Sequence, residues 1–212
     1  QTAFLDSITQ FALSPDGTKI AVIQQRKAKL DSMEVKIYQT ANLSLMKAFE
    51  TQPMVQDLTW SSNSQQLAFL FSTDTTKIKN YKLALYKLSS QETNIFGDSL
   101  DFEKTPKGDF QQVAAGRAPK FSHDGNDLFF GVAARQFEQK DTLTESEKVN
   151  LDIWHYQDTR LQAQQLLRKG QDLKKSTLYT YNLSTQRLQK LGADSLDIQL
   201  DPKKSGAYLL AT

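Results

Sequence analysis

Apolar residues in this chain fall into short alternating runs separated by turn residues, and the runs come in groups. Val35 and Ile37 alternate with Lys36 and Tyr38 across Glu34 to Gln39, and Leu83 and Leu85 share one face across Tyr81 to Leu88. A period of two over such lengths predicts half-buried antiparallel strands. Ser44 to Phe49, Thr93 to Phe96, Thr177 to Leu183 and Arg187 to Leu191 read the same way.

The groups are copies of one unit. Phe11-Ala12-Leu13-Ser14-Pro15-Asp16-Gly17-Thr18-Lys19-Ile20-Ala21-Val22 is an apolar approach, a serine, a tight turn and an apolar strand. The phrase returns at Leu58-Thr59-Trp60-Ser61-Ser62-Asn63-Ser64-Gln65-Gln66-Leu67-Ala68-Phe69 and at Pro119-Lys120-Phe121-Ser122-His123-Asp124-Gly125-Asn126-Asp127-Leu128-Phe129-Phe130. A degraded copy runs from Gln199 to Leu209. Pro15 presets a turn dihedral, Asp16 and Asp124 can bond their own backbone, and Gly17 and Gly125 supply permissive dihedrals, so each copy predicts strand, hairpin turn, strand. A second echo, Asp6-Ser7-Ile8, Asp98-Ser99-Leu100 and Asp194-Ser195-Leu196, stands where one unit hands over to the next.

Two strands in the hairpin and two after it make four strands per repeat, the anatomy of a β-propeller blade. The chain therefore reads as all-β, a single partial β-propeller over residues 1–212. Blade one covers about 6–50, blade two about 51–96 and blade three about 97–192, with the start of a fourth at 193–212. Spacing between the repeat positions Ser14, Ser61, Ser122 and Asp201 is 47, 61 and 79 residues. A blade takes about 40–50 residues. The second step thus predicts an insertion around Asp101 to Arg117 and the third a larger one, 136–171.

The larger insertion opens with a mixed-charge stretch, Glu138 to Lys148, expected to be a solvated loop. Asp158 is suited to cap a short helix near 158–169, because good helix formers follow it. Trp154 and Tyr156 would flank that helix and pin it to the blade. An open arc of blades leaves strand edges uncovered, which points to a longer protein or to blades supplied by another chain. Gln1 in place of Met reads as a processing site or the edge of an excised segment.

Composition narrows the functions. The 212 residues carry 26 basic and 24 acidic side chains with no basic stripe, which speaks against a nucleic-acid surface. No apolar run approaches the ~20 residues of a membrane span. With no cysteine there is no thiolate nucleophile, no disulfide framework and no Cys-based metal site.

The remaining chemistry is sparse. A nucleophile elbow needs G-x-S-x-G; Gly97-Asp98-Ser99-Leu100-Asp101 lacks the second glycine, and Ser195 follows Gly192 at the wrong spacing. His123 occupies a turn position held by Pro15 and Ser62 in the other copies, and His155 lies between two aromatic residues where packing is the simpler role. Two isolated histidines make no zinc site, the dispersed glycines form no phosphate loop, and no cofactor is expected. Asp152 and Asp158 could pair for acid–base work, but a helix cap and a solvated residue account for them more economically. Trp154, His155, Tyr156, Asp158 and Arg160 remain the candidate residues for domain contact or ligand recognition.

The phrases LSPDGTKIAV and FSHDGNDLFF resemble the repeats of TolB-type and WD40-like propellers. The run from Val149 to Gly170, VNLDIWHYQDTRLQAQQLLRKG, resembles an insertion found in large exported serine peptidases of the S9, prolyl oligopeptidase-like family from Bacteroidota-type bacteria. That resemblance implies a propeller followed in the same longer chain by an α/β-hydrolase domain. The hydrolase domain would hold a Ser-Asp-His triad, and the propeller would restrict the access of peptide substrates. It implies an exported, periplasmic or envelope location. None of the family's catalytic positions maps onto this segment. The TolB likeness implies instead a non-enzymatic module binding a protein or ligand in the cell envelope.

Overall fold

The computed structural model describes residues 5–26, 32–97, 102, 111–137, 164, 167–168, 170, 175–192, 198–199 and 210–211. The first sheet runs in sequential order through β1 (Ile8–Leu13), β2 (Lys19–Gln25), β3 (Met33–Gln39) and β4 (Leu45–Ala48). The second repeats it with β5 (Met54–Trp60), β6 (Gln66–Ser72), β7 (Lys82–Lys87) and β8 (Glu92–Phe96). In the third, β9 (Gln111–Val113) and β10 (Lys120–Phe121) both pair with β11 (Asp127–Ala134), followed by β12 (Thr177–Asn182) and β13 (Arg187–Lys190). A last pair, β14 (Ile198–Gln199) and β15 (Leu210–Ala211), flanks the degraded fourth copy of the hairpin. All pairings are antiparallel. The result is an all-β arc of propeller blades.

Part of the stretch expected to be an insertion, Asp101 to Arg117, is strand: Gln111–Val113 pairs with Val132–Ala134. The first strand of the third sheet is thus split, one half at Val113 and the other at Lys120 opposite Phe129. Gln-Gln-Val-Ala carries no alternation, so periodicity could not reveal it. The first strands of the other sheets are irregular in the same region, with register shifts between Ile8 and Gln10 and between Gln56 and Thr59. Such bulges bend a strand and sharpen its twist. In the larger insertion, Gln164, Leu167, Arg168 and Gly170 are described and are helical. The loop 138–148 lies outside the described residues, as do the second and third Asp-Ser-Leu echoes.

One hydrogen-bonded unit builds all three described hairpin turns. The hydroxyls of Ser14, Ser61 and Ser122 donate to Asp16 (2.6 Å), Asn63 (2.7 Å) and Asp124 (2.5 Å). The same oxygens accept the N–H of Lys19, Gln66 and Asp127 at 2.9, 3.0 and 2.9 Å. The Oδ1 atoms of Asp16, Asn63 and Asp124 then accept the N–H of Thr18, Gln65 and Asn126. Each turn also needs a left-handed residue: Gly17 (φ 70°), Ser64 (φ 57°) and Gly125 (φ 73°). Only the second copy uses a residue with a side chain, and its hydroxyl accepts the Asp16 N–H of the neighbouring blade at 3.0 Å.

Blades pack face to face through apolar cores. One core joins Ala21, Ile23, Val35 and Ile37 of the first sheet to Leu67, Phe69 and Tyr86 of the second. The next joins Leu70, Leu83 and Leu85 to Leu128, Phe130 and Tyr181 of the third. An aromatic clamp recurs at both joints. Phe49, leaving the first blade, meets the rings of Phe69 (5.1 Å, 72°) and Tyr86 (5.0 Å, 89°). Phe96, leaving the second, meets Phe130 at 6.4 Å and Tyr181 at 4.6 Å. Such ring pairs add about 0.5–1.5 kcal/mol each beyond burial.

Two expectations follow from the turns. Ser64→Ala keeps the left-handed strain and loses the inter-blade bond, whereas Ser64→Gly loses only the bond; urea unfolding is expected to place the alanine variant about 1 kcal/mol below the glycine one. Hydrogen bonds from the Ser14 hydroxyl, then from the Thr18 N–H, hold the Asp16 carboxyl well below the usual carboxylate range. The Ser122 hydroxyl, then Asn126, lowers Asp124. These groups contribute stability above the unfolded value of about 3.9 and lose it as pH falls through their folded values. Asp16→Asn with Asp124→Asn, which copies Asn63, is expected to flatten the acid limb of a stability–pH profile while the fold is kept.

Candidate functional site

The first strands of the blades lie beside one another, β5 touching β1 on one side and β10 on the other. Polar side chains link these neighbouring first strands across the blades. Asp57 sits at the bulge of β5 with φ 60°. Its N–H donates to Gln10 Oε1 of the first blade at 2.9 Å. Gln56 Nε2 donates to Asp57 Oδ2 at 2.8 Å and to the Ala115 carbonyl of the third blade at 3.3 Å. Three blades are thereby tied by one belt of amides and a carboxylate. Burial pushes the Tyr81 hydroxyl above its ordinary value, and the negative charge of Asp57 adds to the shift. Groups of this kind hydrogen-bond peptide N–H and carbonyl groups.

A second polar site lies close by in the first blade, where β1 begins and β2 ends. Asp6, Ser7, Gln24, Gln25, Arg26, Glu34 and Lys36 line a cavity of ≈310 Å³. Glu34 is buried and approached by Arg26 Nε and Lys36 Nζ, each at 3.4 Å. Lys36 also donates to Gln24 Oε1 at 2.9 Å. Two cations and one carboxylate already satisfy much of one another here.

The candidates named from sequence, Trp154, His155, Tyr156, Asp158 and Arg160, lie outside the described residues, as do Ser99 and Ser195. His123 is exposed in the third hairpin turn, at the position of Pro15 and Ser62. Among the described residues no three His, Cys, Asp or Glu side chains gather as metal ligands. No described helix is long and apolar enough to cross a membrane. Sequence reasoning missed the Gln10–Asp57–Gln56 belt. A hint existed, since Gln10 and Asp57 occupy equivalent positions before Ser14 and Ser61, but only the bulge turns them toward each other.

No protein-family model matches the chain, and no curated protein matches it. Solved structures do. The β-propeller domain of the Trilobed protease from Pyrococcus furiosus, described as having an open velcro topology, matches with a TM-score of 0.51 and 16% identity. That match covers 93% of this chain and 47% of the other, so the chain spans about half the length of that propeller. Acylaminoacyl peptidase from Pyrococcus horikoshii matches at TM-score 0.49 and 13% identity, over 90% of this chain and 26% of that one. TolB from Acinetobacter baumannii matches at 0.44 and 11%, over 87% and 32%. At these identities the likeness is one of fold, and the fold is a β-propeller segment.

Gln10→Ala is expected to cost about 1 kcal/mol, because the Asp57 N–H loses its partner while the bulge persists. A double cycle with Gln56→Ala, followed by urea unfolding, checks whether the belt is coupled: non-additivity is the expected result.

Proposed function

We propose that this chain is the non-catalytic propeller part of a serine peptidase, in which it restricts peptide access to an α/β-hydrolase domain of the same longer chain. The observation that carries the reading is the propeller arc itself, whose architecture is similar to the propeller domain of a protease. The resemblance of 149–170 to an S9-family insertion points the same way.

The mechanism is steric. Rigid four-stranded sheets, locked together at Phe49 and Phe96, make a wall that a folded protein cannot penetrate. The amides and carboxylate of Gln10, Gln56 and Asp57 line it and offer hydrogen bonds to an extended peptide. The insertion, with Trp154, His155, Tyr156, Asp158 and Arg160, is assigned to contact with the hydrolase domain. An exported location goes with this reading.

Labelling the native protein with a fluorophosphonate probe, and identifying labelled species by peptides from these blades, tests it. A labelled species much heavier than 24.0 kDa is the expected outcome. Absence of label on every species containing these blades, beside a working serine peptidase control, would make the chain a TolB-like binding module instead.

A further inference from the structure

The polar cavity of the first blade departs from the repeat. In the first sheet Gln24 pairs with Glu34 and Val22 with Lys36. At the same places the second sheet pairs Phe71 with Lys82 and Phe69 with Ala84, and the third pairs Val132 with Thr177 and Phe130 with Tyr179. Gln24 therefore stands where the other blades bury Phe71 and Val132, and Lys36 where they bury Ala84 and Tyr179. Two blades fold with apolar residues at these places, so folding alone does not call for the polar ones. Taking the Glu34 carboxylate out of water is unfavourable unless other charges answer it.

Geometry shows which charges are left to act. Arg26 Nε and Lys36 Nζ share a single oxygen, Glu34 Oε2, at 3.4 Å each. A closed charge-assisted pair measures about 2.7–2.9 Å, so neither cation is locked onto that oxygen. Two positive charges face one negative charge, which leaves a surplus of one. Arg26 approaches through Nε on a side chain that is 58% exposed, and its two terminal nitrogens have no partner among the described residues. Gln24 is fully used, since its Nε2 donates to the Asp6 carbonyl and its Oε1 accepts from Lys36, both at 2.9 Å. Ser7, from the Asp-Ser-Ile echo, lines the same space, and its hydroxyl donates to no described residue. The remaining charged residue of the lining, Asp6, is exposed, where water screens its charge.

We propose that this cavity binds the carboxylate group of a small acid or of a peptide's carboxyl end. The Arg26 fork takes both carboxylate oxygens, Lys36 supplies the second positive charge, and the Ser7 hydroxyl donates a further hydrogen bond. Glu34 is a positioning residue that holds two like charges together in the empty cavity. A monoanion matches the surplus of one charge, whereas a dianion such as phosphate would bring excess negative charge against Glu34. The volume of ≈310 Å³ sits at the small end of ligand cavities, about 300–1,000 Å³, and suits a ligand the size of an acylated amino acid. The site shares no residue with the Gln10–Asp57–Gln56 belt, and the proposal does not depend on the peptidase reading.

Titration calorimetry on the full-length polypeptide tests it, with N-acetylglycine as the probe and N-acetylglycinamide as its uncharged counterpart. Treatment with fluorophosphonate beforehand keeps a hydrolase site from contributing. Saturable binding of the acid and none of the amide is expected. Arg26→Gln and Lys36→Gln are each expected to raise Kd about tenfold or more, and Arg26→Lys, which keeps the charge without the fork, to fall between. Lys77→Gln, which removes an exposed lysine elsewhere, is expected to leave Kd unchanged, and a thermal melt confirms that each variant is folded. The proposal is overturned by equal binding of the amide, by absence of saturable binding of the acid, or by an Arg26→Gln protein that binds as well as the unsubstituted one. Tighter binding of inorganic phosphate than of N-acetylglycine overturns it too. N-acetylglycylglycine binding more tightly than acetate supports a peptide's carboxyl end as the source, and equal affinity supports a free acid.

Discussion

Phe49 wedged against Phe69 and Tyr86 is the contact on which the arrangement of blades rests. A four-stranded sheet with two apolar faces cannot stay in water alone, and at the two joints between the described blades the facing sides cover one another. Burying apolar surface is worth about 25 cal/mol per Å² but has no direction. The ring clamp gives the joint one, because edge-to-face geometry fixes where the next sheet lies. At the second joint Phe96 takes the same place with tilted rather than edge-to-face rings, 31° to Phe130 and 56° to Tyr181.

Hydrogen bonds do a complementary job. The Ser14, Ser61 and Ser122 units satisfy backbone groups inside each hairpin. Contacts between turns are then specific. Ser64 accepts from Asp16, and a side chain at Gly125 would run into the Ser62 hydroxyl, 2.9 Å from where its Cβ would stand. The bulged first strands bring Gln10, Gln56 and Asp57 into hydrogen-bonding contact.

The candidate site was less legible in the sequence than the fold. Trp154 and Tyr156 drew attention because aromatic residues beside a short helix stand out in a β-rich chain. The belt at Gln10 and Asp57 did not, since glutamines and aspartates are common and nothing in their spacing marks a bulge. The clamp left a signal that is clear only with its partner known: Tyr38, Tyr86 and Tyr181 recur, and Phe49 and Phe96 close their units. A left-handed residue follows each tyrosine at one offset, Leu43, Gln91 and Gln186, and none of these residue types announces a turn.

By itself the sequence determined the strands, the hairpins and their repetition. Those depend on local rules: period-two alternation, a serine paired with Asp or Asn two residues on, and Gly where φ must be positive. Tertiary structure decided which face of each sheet is covered, how the first strand of the third blade is split at Val113 and Lys120, and which glutamine meets Asp57. The split strand is fixed by its partners Val132 and Phe129 within one sheet, while the covered faces and the Gln10–Asp57 bond join residues roughly a blade apart and arise only when two sheets meet. Phe11 and Leu13 carry the difference most plainly, since they are as apolar as Leu58 and Trp60 and stand exposed because no described residue packs over them.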